Sequence, residues 1–402
     1  MRGKFSLRDR YRGILFMAVV GFCAGESKAA IAYVDLYTLG PPAGFNSFNL
    51  SGGMQLAGGG QVVGYGYEAT GGNYRRAVLW TGSTGNAVDL GPAGYVDSQA
   101  YGTSGMQQVG FAGGQAFLWN GTAGSGVDLG PDGFDNSIAY GTDGIQQVGI
   151  GSGTPTGGAG HALIWSGSAD SVVDLNPGGF TSSAAYGIGG SQQVGYGVLA
   201  TNSTHALVWS GSAASAVDLN PSGFNTSYAE WTNGTQQVGY GYGTATGGFP
   251  HYHALLWSGS TGSAVDLNPS GFGQSYAYGT DGIDQVGYGS NLSTEHVNAL
   301  LWSGSAGSFI DLESVLPATF MSSYAYSISG NTVYGYAYDT DQNIHAIAWT
   351  LTVPEPWQLT VFGISGLGLF RRRKCLRSMR SPCGCGGDPH RQSSSAALSD
   401  FR

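Results

Sequence analysis

Apolar residues in this chain come in short dense runs set between glycine-rich turns, and one such run recurs. Its copies are Arg76-Ala-Val-Leu-Trp80, Gln115-Ala-Phe-Leu-Trp119, His161-Ala-Leu-Ile-Trp165, His205-Ala-Leu-Val-Trp209, His253-Ala-Leu-Leu-Trp257, Asn298-Ala-Leu-Leu-Trp302 and His345-Ala-Ile-Ala-Trp349. Successive tryptophans lie 39, 46, 44, 48, 45 and 47 residues apart. A period in that range marks a modular β architecture, in which each unit buries its faces against its neighbours. The unit around Trp165 shows its elements clearly. His161–Trp165 predicts a strand, Ser166-Gly-Ser168 a turn, and Val172-Val-Asp-Leu175 a second strand. Asn176-Pro-Gly-Gly-Phe180 turns again, because proline and glycine supply the backbone angles a tight turn needs. Ser183–Gly187 and Gln192–Gly197 predict two more strands. In other units the corner before the last strand reads Thr142-Asp-Gly144 or Thr280-Asp-Gly282, and Asp-Gly is a hairpin signal. Four short strands in about 45 residues predict a propeller blade.

The apolar runs hardly alternate, as expected of strands covered on both faces. Small residues at Ala162, Ala206, Ala254, Gly149, Gly195 and Gly239 are expected to let neighbouring sheets approach. A right-handed β-helix is the rival architecture, but its coils are much shorter than this period. The chain ends favour a ring. An Asp-Leu phrase ends at Leu36, Leu90, Leu129, Leu175, Leu219, Leu267 and Leu312. Tyr33–Leu36, Gly44-Phe45 and Gln61–Tyr65 make a unit without its tryptophan phrase, while His345–Trp349 has no Asp-Leu phrase after it. The two fragments complete each other. The expectation over residues 33–352 is therefore an all-β, seven-bladed β-propeller of four-stranded blades, closed by pairing of N- and C-terminal strands. Closure removes the exposed sheet edges of an open stack.

Composition fits this picture. Glycine numbers 71 of 402 residues, which suits tight turns and disfavours helices. Aromatics make up 12% of the chain, too many for disorder. Between Tyr33 and Val353 twenty acids face only Arg75 and Arg76, a formal charge of −18. Such a body should repel nucleic acid and anionic membrane surfaces. It keeps the protein soluble, or alternatively collects divalent cations. No cysteine lies in the repeats, so no disulfide framework holds them; Cys375, Cys383 and Cys385 fall in the tail with the wrong spacing for a zinc site.

The two ends read as addresses. Residues 1–32 form a signal-peptide pattern: Arg2, Lys4, Arg8, Arg10 and Arg12, an apolar run from Ile14 to Ala24, and a small-x-small cleavage site at Ala30-Ile-Ala32. Ser27-Lys-Ala29 is a competing site. At the other end Val353, Pro354, Glu355 and Pro356 precede an apolar run, Trp357–Phe370, and then Arg371, Arg372, Arg373 and Lys374. This order resembles the PEP-CTERM sorting signal. The resemblance implies a processing partner of exosortase type, transient membrane anchoring through residues 353–374, and export to a Gram-negative cell surface or extracellular matrix. The chain departs from that pattern by continuing through a polar tail, 375–402, expected to be disordered.

The motif His-Ala-Leu/Phe-x-Trp, Asp-Leu, Gln-Val-Gly resembles the HAF family of extracellular repeats over roughly Tyr33 to Thr350. The histidine holds at His161, His205, His253 and His345 and is replaced at Arg76, Gln115 and Asn298. The family implies a secreted repeat protein without an assigned activity.

Candidate chemistry is sparse because polar residues repeat blade after blade, whereas an active site needs one asymmetric constellation. Each histidine belongs to its own blade and is expected to bond backbone at a strand start, with no metal or cofactor implied. Asp35, Asp89, Asp128, Asp174, Asp218, Asp266 and Asp311 precede turns and are expected to fix them by accepting N–H bonds. Gln107-Gln108, Gln146-Gln147, Gln192-Gln193 and Gln236-Gln237 are expected to crosslink strands or blades. No nucleophile triad or phosphate loop stands out. The breaks in the pattern are Glu230-Trp231, which replaces Tyr-Gly, and insertions at 151–160, 199–202, 243–252 and 291–297, expected on one rim. The functional expectation is an exported non-enzymatic scaffold. One alternative is a carbohydrate-binding module using Trp231, Tyr240, Tyr242 and Tyr252 against an extracellular polysaccharide. Another is a polysaccharide-acting enzyme using Glu230 with Asp284 or Glu295 as paired carboxylates.

Overall fold

The computed structural model describes residues 30–41, 43–50, 61–69, 74–81 and 86–352. The sorting segment 353–374, the tail 375–402 and most of the expected leader lie outside the described residues. Seven four-stranded antiparallel sheets form. Six blades are consecutive in sequence, spanning 45–89, 98–128, 134–174, 180–218, 226–266 and 272–311, numbered 1 to 6. Within each, the first strand is innermost and the last outermost, because first strands of successive blades touch one another from blade 2 through to the closing blade. Blade 7 is composite. Phe320–Ser329, Thr332–Asp339 and Ile344–Thr352 come from the end of the sequence, and Ala30–Thr38 supplies the outermost strand. Tyr33 pairs Trp349, Val34 pairs Ala348 and Asp35 pairs Ile347. The ring closes as expected. The N-terminal contribution is that single strand, since Phe45 already opens blade 1. Ala30, Ile31 and Ala32, assigned above to the leader, pair Thr352, Leu351 and Thr350.

The seven recurring tryptophans are fully buried. Each lies between two blades: Trp209 of blade 4 packs with Val148, Ala162, Ile164 and Leu175 of blade 3. Burying such a side chain is worth several kcal/mol, and truncating it to alanine costs about 3–5 kcal/mol. Glutamines sew the inner ring. Gln61, Gln107, Gln192 and Gln236 each accept through Oε1 from a threonine hydroxyl and a glutamine amide of the next blade, as in Thr232 at 3.1 Å and Gln237 at 2.7 Å on Gln192. The following glutamine holds the turn between third and outermost strands, as Gln237 does by accepting from Gly259 N–H at 2.7 Å.

One local device shapes the lumen. The innermost strand of each of blades 2 to 7 breaks register at the same place, as between Ala229 and Trp231 opposite Gly239-Val238. A β-bulge adds one unpaired residue and turns its side chain out of the sheet's normal alternation. The bulge also explains the repeated glycines, with a correction. Gly149, Gly195 and Gly239 do not ease the approach of a neighbouring sheet. A Cβ there would collide with a carbonyl of the blade's own innermost strand, Tyr228 O in the case of Gly239. The glycine after the bulge makes the inter-blade approach instead: a Cβ on Gly187 would sit 2.6 Å from Glu230 O of the next blade. Gly239→Ala is therefore expected to destabilise the protein by about 2 kcal/mol, read as a lowered urea midpoint. Ala at the exposed Gly178, which has open space around its Cβ position, serves as the control.

Candidate functional site

The bulged residue is Tyr101, Tyr140, Tyr186, Glu230, Tyr278 and Tyr326 in blades 2 to 7. These side chains form a belt inside the ring. Tyr101 and Tyr140 meet edge to face at 5.3 Å, Tyr140 and Tyr186 likewise at 5.1 Å, and Tyr278 and Tyr326 meet at a tilt, 5.0 Å apart. Tyrosines of the second strands, Tyr196, Tyr240, Tyr288 and Tyr336, pack on them. All of these except Tyr326 keep partial solvent exposure although they sit on the two innermost strands, so water reaches the belt through a lumen.

Glu230 interrupts the belt. Its carboxyl hydrogen-bonds the Tyr240 hydroxyl, and Tyr186, Tyr278 and Tyr288 feel its charge. Burial pushes its pKa up to about 7, against the lowering pull of the Tyr240 bond. The tyrosines are shifted the same way: desolvation raises Tyr140 to about 12 and lifts Tyr186, Tyr240 and Tyr278 further. They stay neutral hydroxyls at any physiological pH.

The structure brings together three of the four aromatic residues singled out in the sequence. Tyr240 meets Tyr252 at 5.6 Å, Tyr252 meets Tyr242 at 5.1 Å, and Tyr242 meets Phe249 at 5.5 Å. Phe249 is 72% exposed, so this row runs from an open loop to the residue that bonds Glu230. Trp231 is apart from it. One residue past the bulge, it takes the place of the usual glycine and packs among Val238, Leu256 and Ala277 between blades 5 and 6. The paired carboxylates expected of a polysaccharide-acting site do not form. No second acid perturbs Glu230. Asp284 lies at the start of the second strand of blade 6, where it accepts from Ser303, and Glu295 lies in the loop at that strand's far end.

The histidines correct another expectation. Their partner is a carboxylate, not backbone: His161 Nδ1 to Asp174 Oδ2, His205 to Asp218 and His253 to Asp266, all at 2.7 Å. Asn298 and Arg76 hold Asp311 and Asp89 in the same way. The aspartate's other oxygen accepts the N–H two residues on, as in Asn176 N at 2.8 Å, which is the turn role expected of it. Each pair clips an outermost strand to its blade. His345 does this for the closing strand, bonding Asp35 at 2.8 Å and Asp339 at 3.2 Å. Asp339 is held down to about 2 by Asn343 and by that histidine. The constant separation of thirteen residues was the signal in the sequence for these pairs.

What sequence reading missed is the tyrosine belt. Its trace is the tyrosine that recurs in the innermost strands of blades 2 to 7, followed by glycine in four of them and by Ser327 in blade 7, and replaced once by Glu230.

No family model matches the chain, and no curated protein matches it in sequence. Solved structures do match in shape. A puromycin-hydrolyzing peptidase of Mycobacterium tuberculosis aligns with a TM-score of 0.51 and 13% identity, over 79% of this chain and 55% of that one. An acylaminoacyl peptidase of Pyrococcus horikoshii aligns with a TM-score of 0.50 and 10% identity, over 82% and 56%. The β-propeller domain of the Trilobed protease from Pyrococcus furiosus gives 0.49 and 11%, over 75% and 95%. The chain thus spans about half the length of the first two, and at these identities the likeness is one of fold. It nonetheless redirects the functional expectation. Of these, the solved structures that align at a TM-score of 0.50 or above are peptidases, which points away from the exported scaffold and its carbohydrate-binding and polysaccharide-acting alternatives.

Proposed function

We propose that this chain is a non-catalytic propeller of peptidase type, whose lumen takes in peptide segments for a hydrolase partner. The observation that carries the reading is the lumen itself. Tyrosine rings offer broad apolar faces, and their hydroxyls offer hydrogen bonds to backbone amides. One carboxyl, Glu230, sits among them. The wider body adds selectivity, since its formal charge of −18 attracts cationic chains and repels acidic ones. Arg75 and Arg76 do not offset that field locally, because Arg75 pairs Asp97 at 2.6 Å and Arg76 pairs Asp89 at 3.0 Å and Glu68 at 3.3 Å. The leader pattern and the sorting-signal resemblance support a place for the module outside the cytoplasm.

Fluorescence anisotropy with short labelled unstructured peptides tests this. Lysine-containing peptides are expected to bind more tightly than glutamate-containing ones of equal length, and to weaken as salt rises past about 0.15 M. The peptides should emerge uncut from incubation with the chain alone. Failure of every peptide to bind would remove the reading.

A further inference from the structure

We propose that Glu230 and the tyrosines around it form a receptor for a primary ammonium group, carried by a lysine side chain or by a peptide N-terminus. The inference deepens the peptide-handling function above and rests on it for the origin of the ligand, but the receptor can be tested without any peptide.

The first support is position. Six innermost strands carry the same bulge, and five of them present tyrosine there. Only blade 5 presents an acid. A bulge re-aims one side chain, and here it sets a carboxyl into the tyrosine belt.

The second support is the lack of a counter-charge. The described residues contain no lysine, and both arginines are tied in blade 1 by ion pairs with other acids. The Tyr240 hydroxyl hydrogen-bonds Glu230, and Tyr186, Tyr278 and Tyr288 lie close enough to feel its charge. Burial without a cation holds the carboxyl proton on, and a cation that entered would release it.

The third support is the chemistry of the wall. Tyr278 and Tyr288 stack at 5.3 Å with their hydroxyls 3.2 Å apart. Ring faces attract a cation, and neutral hydroxyl oxygens accept N–H bonds. A primary ammonium has three donors to satisfy and a compact charge, which this mixture of one carboxylate, several hydroxyls and π faces meets. A divalent metal needs more anionic ligands than one carboxylate, and no group of three His, Cys, Asp or Glu side chains suited to a metal occurs among the described residues. The aromatic row Phe249, Tyr242, Tyr252, Tyr240 provides a route from an exposed loop to the carboxyl.

Titration calorimetry with n-butylammonium chloride at about pH 6, in two buffers of different ionisation heat, reads the site directly. Saturable one-site binding with release of most of a proton is expected, because the carboxyl is still largely protonated at that pH. Glu230→Gln should bind at least about tenfold more weakly and release no proton. Tyr278→Phe, which keeps the ring and loses the hydroxyl, should bind more weakly with proton release intact; this second variant keeps the test sound if the first is misfolded by its melting curve. Tetramethylammonium, with no N–H, should bind more weakly than butylammonium. No binding of butylammonium, or equal affinity in Glu230→Gln, overturns the proposal, and equal binding of tetramethylammonium overturns its assignment to a primary ammonium. Two peptide arms separate the sources: an N-acetylated peptide with one lysine, and a lysine-free peptide with a free N-terminus. Whichever loses affinity in Glu230→Gln is the carrier. Peptides that bind wild type and Glu230→Gln alike would sink the ammonium receptor and leave the peptide-binding function standing; butylammonium binding without any peptide binding would do the reverse.

Discussion

A chain ending at Asp339 is expected to be unfolded at temperatures where the full chain is folded. The missing strand Ile344–Thr352 buries Ala346, Ile347 and Trp349 completely. Loss of Trp349 costs about 3–5 kcal/mol and loss of Ile347 about 2–5 kcal/mol more, together comparable to the whole net stability of a typical domain, about 5–15 kcal/mol. The damage spreads past those side chains. Ala30–Thr38 loses its only pairing partner, and His345 no longer bridges Asp35 and Asp339. Two exposed edges then replace a sealed ring. Far-UV circular dichroism during heating measures the effect. A shortened chain that melts with the full one would mean that each blade stands on its immediate neighbours and that closure contributes nothing.

Glu230→Gln is expected to stabilise the protein by an amount that grows as pH rises above about 4.5 and is complete above pH 7. The carboxyl has a pKa of about 7 in the folded protein against an ordinary value of 4.5. Between those values the folded protein holds a proton that the unfolded chain has lost, so stability falls as pH rises from 4.5 toward 7. Above pH 7 the whole penalty is present, on the order of 1–3 kcal/mol once the water that reaches the belt is allowed for. Below the unfolded value the acid is neutral in both states and the substitution should be nearly silent. Urea unfolding at about pH 4 and about pH 8 separates the two regimes. An equal gain at both would place Glu230 in water rather than in the belt. A residue that lowers stability at the pH of use is the kind of local conflict found at functional sites.

Much of this architecture was legible because its cause is local and repeated. The His-Ala-Leu-x-Trp phrase is a strand with a large anchor, and Trp209 and its equivalents are buried where such anchors must be. The Asn-Pro-x-Gly phrase turns the chain where it was expected to, between outermost and innermost strands, as at Asn176–Phe180. Tyr240, Tyr242 and Tyr252 met because two lie on one strand two residues apart and the third closes the loop beside it. The assignments of Glu230, Trp231 and Gly239 failed for one reason, the bulge. A strict alternation carried past residue 229 puts the wrong partner of the Glu230-Trp231 pair on the wrong face, so Trp231 was expected at a rim and Glu230 beside remote acids. Gly239 was ascribed to sheet stacking for the same reason, since a strand pressed inward by a bulge is invisible without its pairing partner. The histidines were misassigned because an aspartate thirteen residues on lies across two strands and a turn.

Blade number, strand count, turn positions and the joining of the two ends were determined by the sequence alone. Each follows from short-range patterns repeated along the chain, and from the cost of leaving half a sheet unpaired at either terminus. Only the tertiary structure decided which side chains line the lumen and what Glu230 experiences there. Register between neighbouring strands sets the direction of a bulged side chain, and the groups that couple to the buried Glu230 carboxyl come from several blades: Tyr186 from blade 4, Tyr240 from blade 5, and Tyr278 and Tyr288 from blade 6. No stretch of contiguous residues contains that set.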